Sequence, residues 1–106
     1  MNPKQIQQML AQAQKAQAEM VKSQAEIAAR TFTASVGGGK VTVVANGGGE
    51  VTSITIARDV VDPEDVEMLQ DLILTGVNQA IREGKTAAES EMKRLTAGMG
   101  LGGLGF

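Results

Sequence analysis

The sequence predicts an α+β fold of order α-β-β-β-α: a long helix, a three-stranded antiparallel sheet and a second long helix. Three observations predict it. Residues 4–30 are rich in alanine and glutamine, both good helix formers, with apolar residues recurring at every seventh position. Residues 31–56 hold three short strand-forming runs divided by the glycine triplets 37–39 and 47–49. Residues 62–96 open on Asp-Pro-Glu-Asp, a helix start signal, and continue with apolar residues at helical spacing. At 106 residues the chain has the length of one domain. It is expected to occupy residues 1–97, followed by a glycine-rich tail over 98–106.

In the first helix, Ile6, Ala13, Met20 and Ile27 form one row, and Met9, Ala16 and Ser23 follow three residues after the first three. Together they make a heptad-like seam with small members, able to receive a partner helix at close range. Twenty-seven residues of helix extend about 40 Å, too long for the rest of so small a chain to cover.

Residues 31–36 alternate strictly, turning Phe32, Ala34 and Val36 inward. Residues 40–45 form a second strand with Val41, Val43 and Ala45 on one face, and residues 50–56 a third with Thr52, Ile54 and Ile56 on one face. The intervening Gly-Gly-Gly-Lys, residues 37–40, invites comparison with a phosphate-binding loop. That motif needs Gly-x-x-x-x-Gly-Lys-Ser/Thr and a helix to follow it. Here Ala34 stands at the first glycine position, Val41 follows the lysine, and a β-branched run comes next. The glycines read as hairpin turns, where positive φ is free of steric cost.

For the second helix, Asp62 is the expected N-cap, Pro63 the first helical residue and Asp65 the capping-box acid. The apolar row is Val66, Leu69, Ile73, Val77, Ala80, Gly84, Ala88 and Leu95. Gly76 and Gly84 fall near one face, implying close contact with another element or a bend. The tail, with five glycines among residues 98–106, is expected to lack fixed structure unless a partner holds it.

Composition narrows the function. The chain has no cysteine and no histidine, which excludes thiol chemistry, zinc thiolates and a histidine base. Ser23, Ser35, Ser53 and Ser90 therefore have no histidine to activate them, and nothing marks two carboxylates as a catalytic dyad. No enzyme activity, cofactor or metal is expected. The acidic group Asp59, Asp62, Glu64, Asp65, Glu67 and Asp71 lacks calcium-loop spacing and complements a helix N-terminus instead. Phe32 and Phe106 are the only aromatics, too few for stacking on nucleic-acid bases. With no secretory pattern and no apolar run of membrane-spanning length, the chain is expected to be cytoplasmic, with neither a membrane nor a small-molecule substrate as partner.

Charge is unevenly placed. Residues 1–58 carry six Lys/Arg against three Asp/Glu, and residues 59–106 four against nine. On the first helix Lys4, Lys15 and Lys22 fall within about 20° of one another and about 160° from the apolar seam. They form either a basic line for a polyanion or an ordinary solvated face, with Glu19 and Glu26 four residues after Lys15 and Lys22. On the second helix Arg82 and Lys93 align and face away from Ile73, flanked by Lys85 and Arg94. Three short strands leave two open edges, and both helices carry seams longer than the sheet can cover. Symmetric dimerisation is the simplest remedy, with Ile6, Ala13, Met20, Ile27, Ile73 and Val77 as candidate interface residues.

Four stretches carry a resemblance: "MLAQAQKAQAEM" at 9–20, "GGGKVTVVANGGGEVTSITI" at 37–56, "EMLQDLILTGVNQAI" at 67–81 and "MKRLTAGMGLGGLGF" at 92–106. Their succession resembles the YbaB/EbfC family of bacterial nucleoid-associated proteins over nearly the whole chain. Ala11 and Ala16 stand where that family commonly has lysine and methionine, and Gly76 and Gln79 depart from its later segment. The resemblance implies an intertwined, tweezer-like homodimer with helical arms that binds double-stranded DNA and helps organise the nucleoid, without catalysis or cofactor. Charge geometry then nominates Lys4, Lys15, Lys22, Arg82 and Lys93 as DNA contacts. The alternative is a protein–protein interaction module using the helical seams and the C-terminal tail.

Overall fold

Asn2 begins the first helix, α1 (Pro3–Ala29), in the computed structural model, which describes residues 2–98. The Gln5 backbone N–H donates to Asn2 Oδ1 at 2.8 Å, and the Asn2 N–H donates to Gln5 Oε1 at 3.3 Å. This reciprocal box satisfies two of the amides that a helix N-terminus leaves open, and Pro3 follows where no amide is needed.

Three strands follow: β1 (Thr31–Val36), β2 (Val41–Asn46) and β3 (Val51–Ile56), antiparallel in the order β1-β2-β3. Phe32 pairs with Ala45, Ala34 with Val43 and Val36 with Val41, which places the expected inward residues of both strands on one face. The β1–β2 turn runs through Gly37, Gly38 and Gly39, all at positive φ, and leads into a strand, not a helix. At the β2–β3 turn the Asn46 side-chain oxygen accepts the Gly48 and Glu50 amides, each at 3.0 Å.

The second helix, α2 (Val66–Gly98), lies across β2 and β1. Gly76 and Gly84 let it approach closely. A β-carbon at Gly76 would stand 2.8 Å from Val43 Cγ2, and one at Gly84 would stand 3.2 Å from the Phe32 ring. Ala34, Val41, Val43, Ala45 and Ala80 are buried between sheet and helix, bordered by Leu69, Leu72, Ile73, Val77 and Ile81.

Two expectations need correction. The helix start lies three residues later than the sequence signal suggests: Asp65, not Asp62, accepts the amide of Met68 in the first turn, at 3.3 Å. Asp62 instead closes a local turn by accepting the Glu64 amide at 2.9 Å, after a short 3-10 turn at Arg58–Val60. The second correction concerns β3. Ile54 and Ile56 share the inner face, opposite Val43 and Val41, but a bulge puts Val51 in the place opposite Ala45 that would continue their row, so Thr52 does not join them there. The inner face of β3 is also only partly covered: Ile56 is half-buried and packs against the core, whereas Ile54 is 42% exposed although it pairs with the fully buried Val43. A helix is about 10 Å wide and strands lie about 4.8 Å apart, so one helix covers two strands and most of β3 lies outside its footprint. Residues 99–106, most of the expected tail, lie outside the described residues, and Gly98 is the last residue of α2.

Candidate nucleic-acid interface

The root of α1 is where three elements converge. Only Ser23 and Ile27 of the helix are buried. Gly47, in the β2–β3 turn, donates its amide to the Arg30 carbonyl at 3.0 Å and passes directly beside the Ile27 carbonyl. A β-carbon at Gly84 of α2 would meet the same glycine at 3.4 Å. Arg30 then stacks its guanidinium 5.0 Å from the Phe32 ring centre. From Pro3 to Lys15, by contrast, every residue of α1 is exposed. The helix is therefore anchored at its C-terminal end and free within this chain at its N-terminal end.

Lys4, Lys15 and Lys22 are all exposed on this helix, and about 27 Å of helix axis separates the first from the last. Among the described residues the ion pairs within 4 Å are Lys40–Asp59 and Arg94–Glu91. The Lys15–Glu19 and Lys22–Glu26 pairs allowed by spacing are thus not closed, and the arm lysines face solvent uncommitted. Arg82 and Lys93 are exposed on α2 and likewise outside these pairs.

The remaining cations are partly committed. Lys40, the lysine of the glycine-rich stretch, pairs with Asp59, and its hydrogen bond holds the Asp59 carboxyl below its usual range. Arg94 forks onto Glu91, whose carboxyl also accepts the Ser23 hydroxyl at 3.0 Å. Arg94 first, and then Ser23, hold Glu91 below the ordinary carboxylate range, while Glu91 raises Arg94 further. Sequence reasoning missed this tie because its members lie 68 residues apart. The signal available was a serine and a glutamate standing on otherwise apolar helix faces.

Of the candidate interface residues, Ile27 is already buried within this chain, and Ile73 and Val77 pack against the core. Ile6 and Ala13 are exposed and Met20 is half-buried. Val51, Ile54, Val61, Val66, Met68 and Leu74 add further exposed apolar surface around β3 and the start of α2.

The sequence profile of the YbaB/EbfC DNA-binding family matches residues 1–99. The chain belongs to that family. It is 52% identical over 99 residues to a nucleoid-associated protein of Clostridium novyi (strain NT), covering 93% of this chain and 87% of that one. It is 50% identical over 99 residues to a nucleoid-associated protein of Chloroflexus aurantiacus (strain J-10-fl), covering 93% and 96%. The fold matches the crystal structure of an uncharacterized protein from Helicobacter pylori with a TM-score of 0.61 and 26% identity, over 93% of this chain and 97% of that chain. The α-β-β-β-α order is thus shared with an experimental structure. Among the described residues of this YbaB/EbfC chain, no helix is long and apolar enough to cross a membrane.

Proposed function

We propose that two copies of this chain form a tweezer-like dimer whose α1 arms straddle duplex DNA and contact its phosphates through Lys4, Lys15 and Lys22. Arg82 and Lys93 on the outer face of α2 are the secondary contacts. The observation that carries this reading is the separation of charge. The arm from Asn2 to Ala18 holds two lysines and no acid, whereas residues 58–71 hold six carboxylates against one arginine. A polyanion is drawn to the first region and repelled by the second, which orients the protein before contact. Phosphate contacts then supply affinity and register without reading base sequence. Sequence-similar proteins that carry the name nucleoid-associated support placing this one in the cytoplasm, on the nucleoid, where such binding organises the chromosome or alters gene expression.

The dimer follows from surface that one copy leaves uncovered. Val51 and Ile54 of β3 and the Ile6, Ala13 and Met20 seam remain open, while Ile27, Ile73 and Val77 serve the core first and border the interface. A second copy related by a two-fold axis meets both needs with one surface.

The test is a titration of duplex DNA at two salt concentrations, using the wild type and a variant with Lys4, Lys15 and Lys22 changed together to Glu. Wild-type affinity should fall with salt with a log–log slope of about −0.9 per phosphate neutralised. The triple variant should lose most binding at low salt. No wild-type binding at low salt would favour the protein–protein interaction module instead. Sedimentation at micromolar concentration should show a dimer, and a folded single subunit would refute the assembly.

A further inference from the structure

Two polar residues interrupt the apolar faces along which α1 and α2 meet. Ser23 is the only buried polar side chain found among the described residues, and Glu91 stands on the inward face of α2 between Ala88 and Leu95. These intrusions find each other: the Ser23 hydroxyl donates to Glu91 Oε1 at 3.0 Å, and Arg94 Nε donates to both Glu91 oxygens at 3.2 Å. Glu19 and Glu26, on the flanking turns of α1, add their field to Arg94, and Arg30 adds its field to Glu91.

We propose that Glu91 is a positioning residue that sets the angle and axial register of the α1 arm by holding Ser23, with Arg94 holding Glu91 in turn. The inference rests on the DNA-binding reading for its consequence but not for its geometry. A polar contact at the edge of a helix seam selects one register over its neighbours, because a slip leaves the buried Ser23 hydroxyl without its acceptor. The other anchors, Ile27 and the Gly47–Arg30 backbone bond, lie at the last turn of α1 and form a pivot about which the helix can still swing. The lever is long. Nineteen residues separate Ser23 from Lys4, about 28 Å of helix, so a 10° swing moves the tip by about 5 Å. That approaches the width of a DNA minor groove, about 6 Å, and is enough to displace an arm lysine from its phosphate.

Simple charge counting predicts the opposite sign. Glu91 is an acid close to the proposed DNA-binding face, so its removal should tighten binding to a polyanion if it acts only through its field. A positioning role makes removal weaken binding. It also makes the salt slope shallower, since a displaced arm lysine no longer neutralises its phosphate.

The chain's lack of cysteine permits clean labelling. Spin labels at Gln12→Cys on the arm and Thr33→Cys on the outer face of the sheet report the arm's position within one chain, when labelled protein is diluted into unlabelled protein. The wild-type background should give one narrow distance distribution. Glu91→Ala should broaden or shift it, and Ser23→Ala should do the same if the Glu91 variant fails to fold. Ser23→Thr, which keeps the hydroxyl, should restore it. Duplex DNA affinity of Glu91→Ala should fall about tenfold, with a shallower salt slope than the wild type. An unchanged distance distribution, or tighter DNA binding by Glu91→Ala, overturns the inference. Absence of wild-type DNA binding would instead refute the proposed function, and the distance measurements would still decide whether Glu91 sets the arm.

Discussion

The sheet with its covering helix and the α1 arm are held by different physics, although both draw on small and aliphatic residues. Under α2, glycine and alanine bring backbones close: a β-carbon at Gly76 would force Val43 to move, one at Gly84 would press tightly on Phe32, and Ala80 is fully buried between them. On the arm, the same small residues meet solvent. From Pro3 to Lys15 nothing is buried, and the helix stands on its capping box, its helix-forming composition and the anchor at Ser23 and Ile27. The core therefore depends on volume and the arm on register. Substitutions in the two regions should fail in different ways.

The largest effect is expected where the regions join. At Gly47→Ala the new β-carbon would lie 2.0 Å from the Ile27 carbonyl oxygen, a backbone atom that cannot turn aside. We expect a loss of about 3 kcal/mol or more by denaturant unfolding, because turn and helix must separate to admit it. Within the core, Val43→Ala removes two methyl groups from a fully buried site and should cost about 2–3 kcal/mol, measured the same way.

On the arm, Ile6→Gln and Leu10→Gln sharpen the contrast. Both residues are exposed within one chain, but only Ile6 belongs to the seam assigned to the second copy. Ile6→Gln should cost about 1–2 kcal/mol and make the melting temperature more dependent on protein concentration. Leu10→Gln should stay within about 0.5 kcal/mol. Equal behaviour of the two would mean that the seam is not the interface.

The smallest effect concerns acid. Asp59 and Glu91 both have carboxyl groups held below their usual range, by Lys40 and by Arg94. A depressed folded-state value means that their contribution is fully present above the unfolded value, near pH 4, and is lost as pH falls through the lower folded value. The urea midpoint should therefore drop modestly between pH 6 and pH 3, and by less in Lys40→Met, where Asp59 has no partner to lose. Both sites are solvent-screened, which keeps the effect small.

Local pattern made most of the fold legible. The alternation of β1 and β2, the glycine turns and the two helical periods each involve residues within a few positions of one another, and each appears where that spacing places it. The sequence pattern places the start of α2 three residues early because Asp62 and Asp65 are both capping residues. Which of them caps depends on how the chain leaves the 3-10 turn at Arg58–Val60. For the candidate site, the lysine line on α1 was visible because a helix repeats, whereas the commitment of Lys40 to Asp59 and of Arg94 to Glu91 was only one possibility among several pairings.

The order of elements, the inward faces of β1 and β2, the basic line of Lys4, Lys15 and Lys22 and the acidic group at residues 59–71 were determined by the sequence alone, because each follows from backbone periodicity and local charge. Tertiary structure alone decided that Val51 and Ile54 of β3 stay exposed beyond α2, that Gly47 and Gly84 close on the root of α1, and that Ser23 meets Glu91 across 68 residues of chain. Those outcomes depend on where a helix about two strands wide comes to rest on a three-stranded sheet, a property of shape that periodicity along the chain does not encode.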